Sequence, residues 1–491
     1  MKKVTDWWKM EGKDCGERRY VTLLKSLLLA MLPLVCCLVY CGAQGRSPGE
    51  VYLPSSEWND ELFYYKQVES ILKFGYPQGY YGFNESHALK LSFAAWSPAL
   101  VFPWILWGLV FGWNLMSPVV CNIFLLMLCC FAFVWLVRPS WRQLGILTFL
   151  FCLYTPFVRY ILSVMPEIIC FTMVIVFLSL AINYLRREKT YKLVLLFGMA
   201  GMMTLMRPYL LLFLLLPCWL WIRRDKNHAY RWVGLVGSAS VLALVLGLYA
   251  CIKHYFGAEY FAPLFFTEWI SAYFDRGLIG GFRYTLGTLY YMGSDFLRHM
   301  VQGFRTGLAS GAYFAGYLVC MGILLVQTFG DWRRWKRLGQ AEQGDGEQER
   351  GDLGRRLIIE AHLAFSFVAM LFALLLMYKL TEGSKHLLTF MAAAVFIIAL
   401  MDTRFYKKAV LAGMTFAYFF FYMARDPYDY GVPFVQEERK AAVEDWGEVL
   451  EQELSLEREK VPNYENVVIW VFRDTVDGTP VNTAWQLLYA L

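Results

Sequence analysis

Charged residues are scarce in this chain: Asp, Glu, Lys and Arg make up 18% of its 491 residues, while 58% are hydrophobic. A water-soluble domain of this length needs more polar surface to cover itself, so a soluble globular protein is excluded. Cysteine is missing where a disulfide would need it. Nearly all of the 12 cysteines, among them Cys36, Cys37, Cys129, Cys130 and Cys320, lie inside apolar runs, and residues 44–115, 253–305 and 425–491 contain none. That excludes a disulfide framework and, with no C-x-x-C pair, a thiolate metal site. These cysteines read as small buried hydrophobes. No carboxylate and histidine cluster has the spacing of metal ligands, so no metal or other cofactor is expected. No internal repeat is present, which speaks against a transporter built from repeats. Basic residues fall in short clusters between apolar runs rather than along a continuous face, so nucleic acid is not an expected partner.

What the chain does have is apolar length. Runs lie near residues 21–43, 97–112, 116–137, 144–162, 168–185, 193–206, 209–222, 232–252, 306–328, 357–378, 387–401 and 408–424. Uncharged runs of about 20 residues read as membrane-spanning helices. The first follows a basic start (Lys2, Lys3, Lys9, Arg18, Arg19) and exceeds a signal-peptide core, so it reads as a retained anchor. The segments rich in Lys and Arg, at 1–20, 138–142, 186–192, 223–231, 331–356 and 404–408, should face the cytoplasm. That condition is met only if the run at 97–112, with Pro98 and Pro103, dips into the outer leaflet without crossing. It also requires 193–206 and 209–222 to form a hairpin turning at Arg207 and Pro208. The reading is an all-α polytopic membrane bundle of about eleven spans, N-terminus inside and C-terminus outside. Residues 1–20 form the cytoplasmic N-terminus and 21–424 the membrane domain. Residues 44–115, the turn at Pro166 and Glu167, 253–305, 381–386 and the chain beyond 424 fall outside. The Gly-, Gln- and Glu-rich stretch 331–356 reads as a disordered cytoplasmic linker. In the tail, 425–491, Val443, Trp446, Leu450 and Leu454 share a helical face and NVVIWVF at 466–472 reads as a strand, which gives a small α+β appendage.

On this topology acids and cations from distant parts of the chain converge on the outer face. Asp60 and Glu61 lie in the first outer segment just before a helix that Leu62 begins and that Gly75 and Pro77 end. An acidic pair there also serves the helix N-terminus. Glu167 follows Pro166 at the next outer turn and either caps the helix it begins or faces Asp60. Arg207 lies in a hairpin too short to reach the surface, where a charge needs a wet cavity or an anionic partner. Lys385 and His386 end a later outer turn, against the usual charge bias; as ordinary residues they would snorkel or line the interface. An anionic headgroup needs the cations, and a nucleophilic hydroxyl needs a carboxylate to take its proton. The many aromatic and charged residues of 253–305 suit either carbohydrate contact or an interfacial belt.

The order of these features resembles the GT-C superfamily of membrane glycosyltransferases, near the protein mannosyltransferase and aminoarabinose transferase branch. NDELFYYKQVESILKFG resembles the acidic motif of that family's first outer loop. WSPALVFPWILWGLVFG resembles its juxtamembrane stretch. SVMPEIICF through TLMRP resembles its second acidic loop, basic turn, Gly-rich span and Arg-Pro turn, and EGSKHLLTFMAAA resembles its late phosphate-holding loop. The likeness covers about residues 20–220 well, is weak from 230 to 380 and is absent in the tail. Lys385 and His386 stand without the Pro that often follows in the family, and Glu167 stands where relatives often carry Asp. The resemblance implies a GT-C-like fold in the plasma membrane and inverting transfer of a sugar from a polyprenyl-phosphate donor to a glycan, lipid or protein acceptor outside. It implies Asp60 as general base with Glu61 as its substitute, Glu167 orienting hydroxyls, and Arg207, Lys385 and His386 holding phosphate. The alternatives are a lipid-linked sugar flippase or transporter, a polysaccharide polymerase or ligase, and a membrane scaffold.

Overall fold

A computed structural model describes residues 19–51, 60–75, 78–79, 89–90, 97–224, 228–256, 266–306, 309–340, 346–378, 380–401 and 406–425. The described chain is an all-α membrane protein whose helices are, in order, α1 (Arg19–Ala43), α2 (Asp60–Phe74), α3 (Phe102–Phe111), α4 (Ser117–Val137), α5 (Trp141–Leu153), α6 (Pro156–Ile161), α7 (Glu167–Arg186), α8 (Thr190–Met206), α9 (Leu211–Arg224), α10 (His228–Phe256), α11 (Glu268–Asp275), α12 (Gly277–Thr306), α13 (Ala309–Leu338), α14 (Gly346–Met377), α15 (Leu380–Leu400) and α16 (Tyr406–Arg425). A minimal antiparallel pair, β1 (Gln78–Gly79) with β2 (Leu89–Lys90), follows α2.

Local chemistry sets the boundaries. Pro103, Pro118 and Pro156 sit in the first turns of α3, α4 and α6, where a missing N–H costs nothing. Ser140 and Gln143 cap the start of α5 reciprocally: the Ser140 amide donates to Gln143 Oε1 at 2.8 Å and the Gln143 amide donates to Ser140 Oγ at 3.3 Å. Six described helices, α1, α4, α7, α10, α13 and α14, are long and apolar enough to cross a bilayer, while the apolar parts of α5, α8, α9, α15 and α16 are shorter. The 10 residues of α3 reach about 15 Å, half of a hydrocarbon core, so this helix cannot cross.

The hairpin expected at Arg207 and Pro208 is present. The rings of Phe197 in α8 and Trp221 in α9 lie 5.6 Å apart, centroid to centroid. In one continuous helix these residues would stand about 36 Å apart. The core of the bundle is α7, whose side chains from Glu167 to Leu185 are buried almost throughout. A straight span over 144–162 is not what the chain builds. Pro156 interrupts the backbone ladder, so the run divides into α5 and the short α6, and Tyr154 at the break donates its hydroxyl to Leu388 O at 2.8 Å.

One further expectation needs correction. The described parts of 331–356 are not a disordered linker: α13 continues to Leu338 and α14 begins at Gly346, while 341–345 lie outside the described residues. Opposite charges pair within α14 and between α13 and α14. Arg356 binds Asp331 at 2.5 Å and Glu360 at 2.7 Å, and Gln327 donates to Asp331 at 2.9 Å. Composition signals disorder there because it does not register such pairing. Among the described residues of the outer segment 253–305 are α11 and the 30-residue α12. The α+β appendage expected for 425–491 lies outside the described residues, apart from Arg425.

The helix ends sort by charge. Lys25 Nζ donates to Pro139 O at 3.0 Å, Arg186 donates to Leu136 O at 3.4 Å, and Gln143 donates to Leu400 O at 3.1 Å. Lys408 donates to Gln327, beside the Arg356 network. The basic connections therefore share one end of the bundle, as the charge rule requires of cytoplasmic turns. A reporter fused after Lys192 is expected to read cytoplasm and one fused after Arg425 the exterior; the reverse result would invert the topology.

Candidate active site

The opposite end of the bundle holds a buried polar cluster. It begins at the turn before α7, which three carbonyls and one amide side chain hold in shape. Asn122 of α4 donates to Tyr160 O, Ile161 O and Ser163 O at 3.4, 3.3 and 3.3 Å, and accepts from Trp104 Nε1 of α3 at 2.9 Å. Ser163 Oγ donates to Tyr160 O at 3.0 Å and accepts from the Met165 amide at 3.2 Å. The next amide, that of Val164, donates to Glu61 Oε2 of α2 at 3.4 Å. Glu61 and Tyr64 stand at i and i+3, one above the other on the same side of α2, and both are buried. Asn122→Ala is expected to lower stability by about 1–3 kcal/mol, measured by thermal unfolding in detergent, because it strands buried carbonyls.

Glu167 is the first residue of α7, and its Oε1 accepts from Arg207 Nη2 at 2.8 Å. Glu167 Oε2 has no hydrogen-bond partner among the described residues. Arg207 reaches this place because of its neighbour. A residue before proline is pushed out of the helical region, and Arg207 has φ −143° and ψ 118° where α8 stops. The ion pair is sealed: Glu61, Glu167 and Arg207 expose 0%, 1% and 0% of their surface. The expected wet pocket is therefore, in this structure, a closed cluster.

Aromatic residues complete it. The Arg207 charge acts on Tyr64, Tyr209, Tyr249, Tyr378 and His386. The His386 ring lies 4.9 Å from Tyr209 and 5.2 Å from Tyr378, centroid to centroid. His386 is 3% exposed, and Lys385, next to it, is half-buried and acts on it electrostatically. The chain thus brings Glu61, Glu167, Arg207, Lys385 and His386 to one end of the bundle, from α2, α7, the α8–α9 hairpin and α15. Asp60 is the first residue of α2; its side chain lies outside the described residues.

Arg159, at 4% exposure in α6, was not among the residues singled out from sequence. Both Arg159 and Glu167 act on the Tyr160 hydroxyl, so it belongs to the same cluster. The signal was there: an arginine inside an apolar run asks for a function or a partner. Asn122 was missed in the same way. Among the described residues, no group of three or more His, Cys, Asp or Glu side chains is placed to hold a metal ion.

A carboxylate and a guanidinium at the mouth of a helical bundle can accept a proton and balance an anion; both need desolvation to act strongly. No protein-family model and no curated protein matches the chain. Among solved structures it is similar to the archaeal oligosaccharyltransferase AglB from Archaeoglobus fulgidus in complex with an inhibitory peptide and a dolichol-phosphate, at 13% identity and a TM-score of 0.43, over 91% of this chain and 59% of that one. It is also similar to the Archaeoglobus fulgidus oligosaccharyltransferase in complex with Zn and sulfate, at 14% identity and a TM-score of 0.42, over 90% of this chain and 56% of that one. The chain therefore spans less than two thirds of the length of these oligosaccharyltransferases.

Proposed function

We propose that the chain is a membrane glycosyltransferase that moves a sugar from a polyprenyl-phosphate donor to an acceptor hydroxyl at the outer face of the plasma membrane, with inversion. The observation that carries this reading is the buried Glu167–Arg207 pair beside Glu61, at the end of the bundle opposite the basic turns. In the reaction the acceptor oxygen forms a bond to the anomeric carbon while the bond from that carbon to the phosphate oxygen breaks. The bonding pair leaves with the phosphate, and the hydroxyl proton passes to Asp60.

Arg207, Lys385 and His386 balance the charge that develops on the leaving phosphate; a guanidinium suits phosphate by its planar fork and an ammonium by its point charge. Glu167 uses one oxygen to orient Arg207 and offers Oε2 to a sugar or acceptor hydroxyl. Glu61 holds α2 against the turn before α7, which keeps Asp60 within one residue of that contact; it is also the substitute base. The closed cluster implies that donor entry separates α2 from α7, since Glu61, Glu167 and Arg207 have almost no exposed surface.

The test is a transfer assay on the purified full chain in lipid nanodiscs, supplied with polyprenyl-phosphate sugars. The expected result is release of free polyprenyl phosphate together with a glycosylated acceptor. Translocation of the lipid-linked sugar in vesicles without any glycosyl product would instead establish a flippase.

A further inference from the structure

The helix α12 has three faces. With 3.6 residues per turn, Gly281, Phe296 and Gly303 fall along one side, and these are its buried residues. That side docks on the bundle. The rings of Phe296 and Phe314 of α13 lie 4.4 Å apart, and a Cβ added at Gly311 of α13 would come within 2.9 Å of Met300 O and Phe304 N, so the backbones touch. The second side carries Ile279, Leu286, Leu297, Val301 and Phe304, exposed by 87%, 49%, 52%, 45% and 42%. The third carries Arg283, Ser294, Arg298, Gln302 and Arg305, all exposed. Arg283 stands at the border between the apolar and polar sides, Arg305 lies on the half of the polar side next to it, and Arg298 lies further round towards Gln302.

This pattern fits a helix lying in the plane of a membrane, with protein beneath one flank, acyl chains along a second and water along a third. It does not fit a crossing helix: α12 is not among the described helices apolar enough to span. Its place agrees. The Phe266 amide, just before α11, donates to Met377 O at the end of α14, and Phe304 lies against Tyr418 of α16 at 5.0 Å. Both anchors are at the end of the bundle that holds the polar cluster.

We infer that α12 is an in-plane lipid-binding helix whose apolar stripe from Ile279 to Phe304 sits in the acyl-chain boundary and whose border arginines, Arg283 and Arg305 above all, hold the phosphates of anionic phospholipids. Arg298 is partly committed to Asp295, at 2.5 Å. Arginine at such a border keeps its stem in the apolar layer and its head at phosphate depth.

The test places a photoreactive benzoylphenylalanine at Leu286 or Leu297, and separately at Arg298 or Gln302, in the full chain reconstituted into phosphatidylcholine vesicles containing phosphatidylglycerol. Mass spectrometry is expected to find phospholipid adducts at the first two positions and none at the others. Adducts to protein at Leu286 and Leu297, whether to this chain or a second copy, would overturn the proposal, as would equal lipid labelling on all sides. A second measurement uses the Arg283→Gln, Arg305→Gln double variant. The enrichment of phosphatidylglycerol over phosphatidylcholine among co-purified lipids is expected to fall about fivefold for each arginine removed. Unchanged enrichment would overturn the headgroup assignment.

Discussion

Replacing Arg207 with glutamine is expected to abolish sugar transfer and to destabilise the chain by about 3–5 kcal/mol, the usual cost of leaving one partner of a buried ion pair uncompensated. Glu167 would then keep a carboxylate with 1% exposure and without the guanidinium that lies 2.8 Å from it. Two measurements separate the structural loss from the functional one. In the double variant Arg207→Gln with Glu167→Gln the buried charges vanish together, so most of the lost stability should return in thermal unfolding. Transfer should not return, because the donor phosphate has lost its guanidinium. Recovery of transfer in the double variant would make the pair a structural rivet. Retained stability in the Arg207 single variant would show that water reaches Glu167.

Asp60→Asn carries the second large effect. A positioned general base contributes roughly 10²- to 10⁴-fold to a rate, so turnover should fall by about that factor. Stability should hardly change, since Asp60 opens α2 and asparagine serves a helix start as well as aspartate does. The donor affinity, set by Arg207, Lys385 and His386, should also survive. Glu61→Gln is the informative contrast: it should weaken the Val164 contact and the seat of α2, and so lower stability where Asp60→Asn does not. Equal activity in Asp60→Asn and the parent chain would move the proton acceptor elsewhere, with Glu61 the next residue to examine.

Several parts of this arrangement were readable in the chain before any coordinates. The α8–α9 hairpin followed from basic flanks on both sides of an Arg-Pro turn, because two basic ends must lie on one side of a membrane. The same parity asks the run at 97–112 to stay in the outer leaflet, and the short α3 lies within it. What escaped notice shares one cause. Arg159 and Asn122 sit inside apolar runs, and a run judged by its average hides a single polar residue that organises a turn. The helix α12 does not show as an apolar run because its polar and apolar residues alternate at helical period. The stretch 331–356 was misjudged for the opposite reason: its charges looked like those of a solvated linker, yet Arg356, Asp331 and Glu360 satisfy one another across α13 and α14. The sealed state of the Glu167–Arg207 pair was also invisible, since burial depends on how α2 and the tyrosines pack over it.

The account turns on whether a lipid phosphate reaches the cluster formed by α2, α7, the α8–α9 hairpin and α15. A photoreactive polyprenyl phosphate, bound to the full chain in nanodiscs and mapped by mass spectrometry, tests this most directly. Labelled peptides are expected from α2, from the turn before Glu167, from the segment around Arg207 and Pro208, and from the start of α15, all suppressed by excess unlabelled polyprenyl phosphate. Labelling confined to the basic end of the bundle, around Lys192 or Arg356, would contradict it.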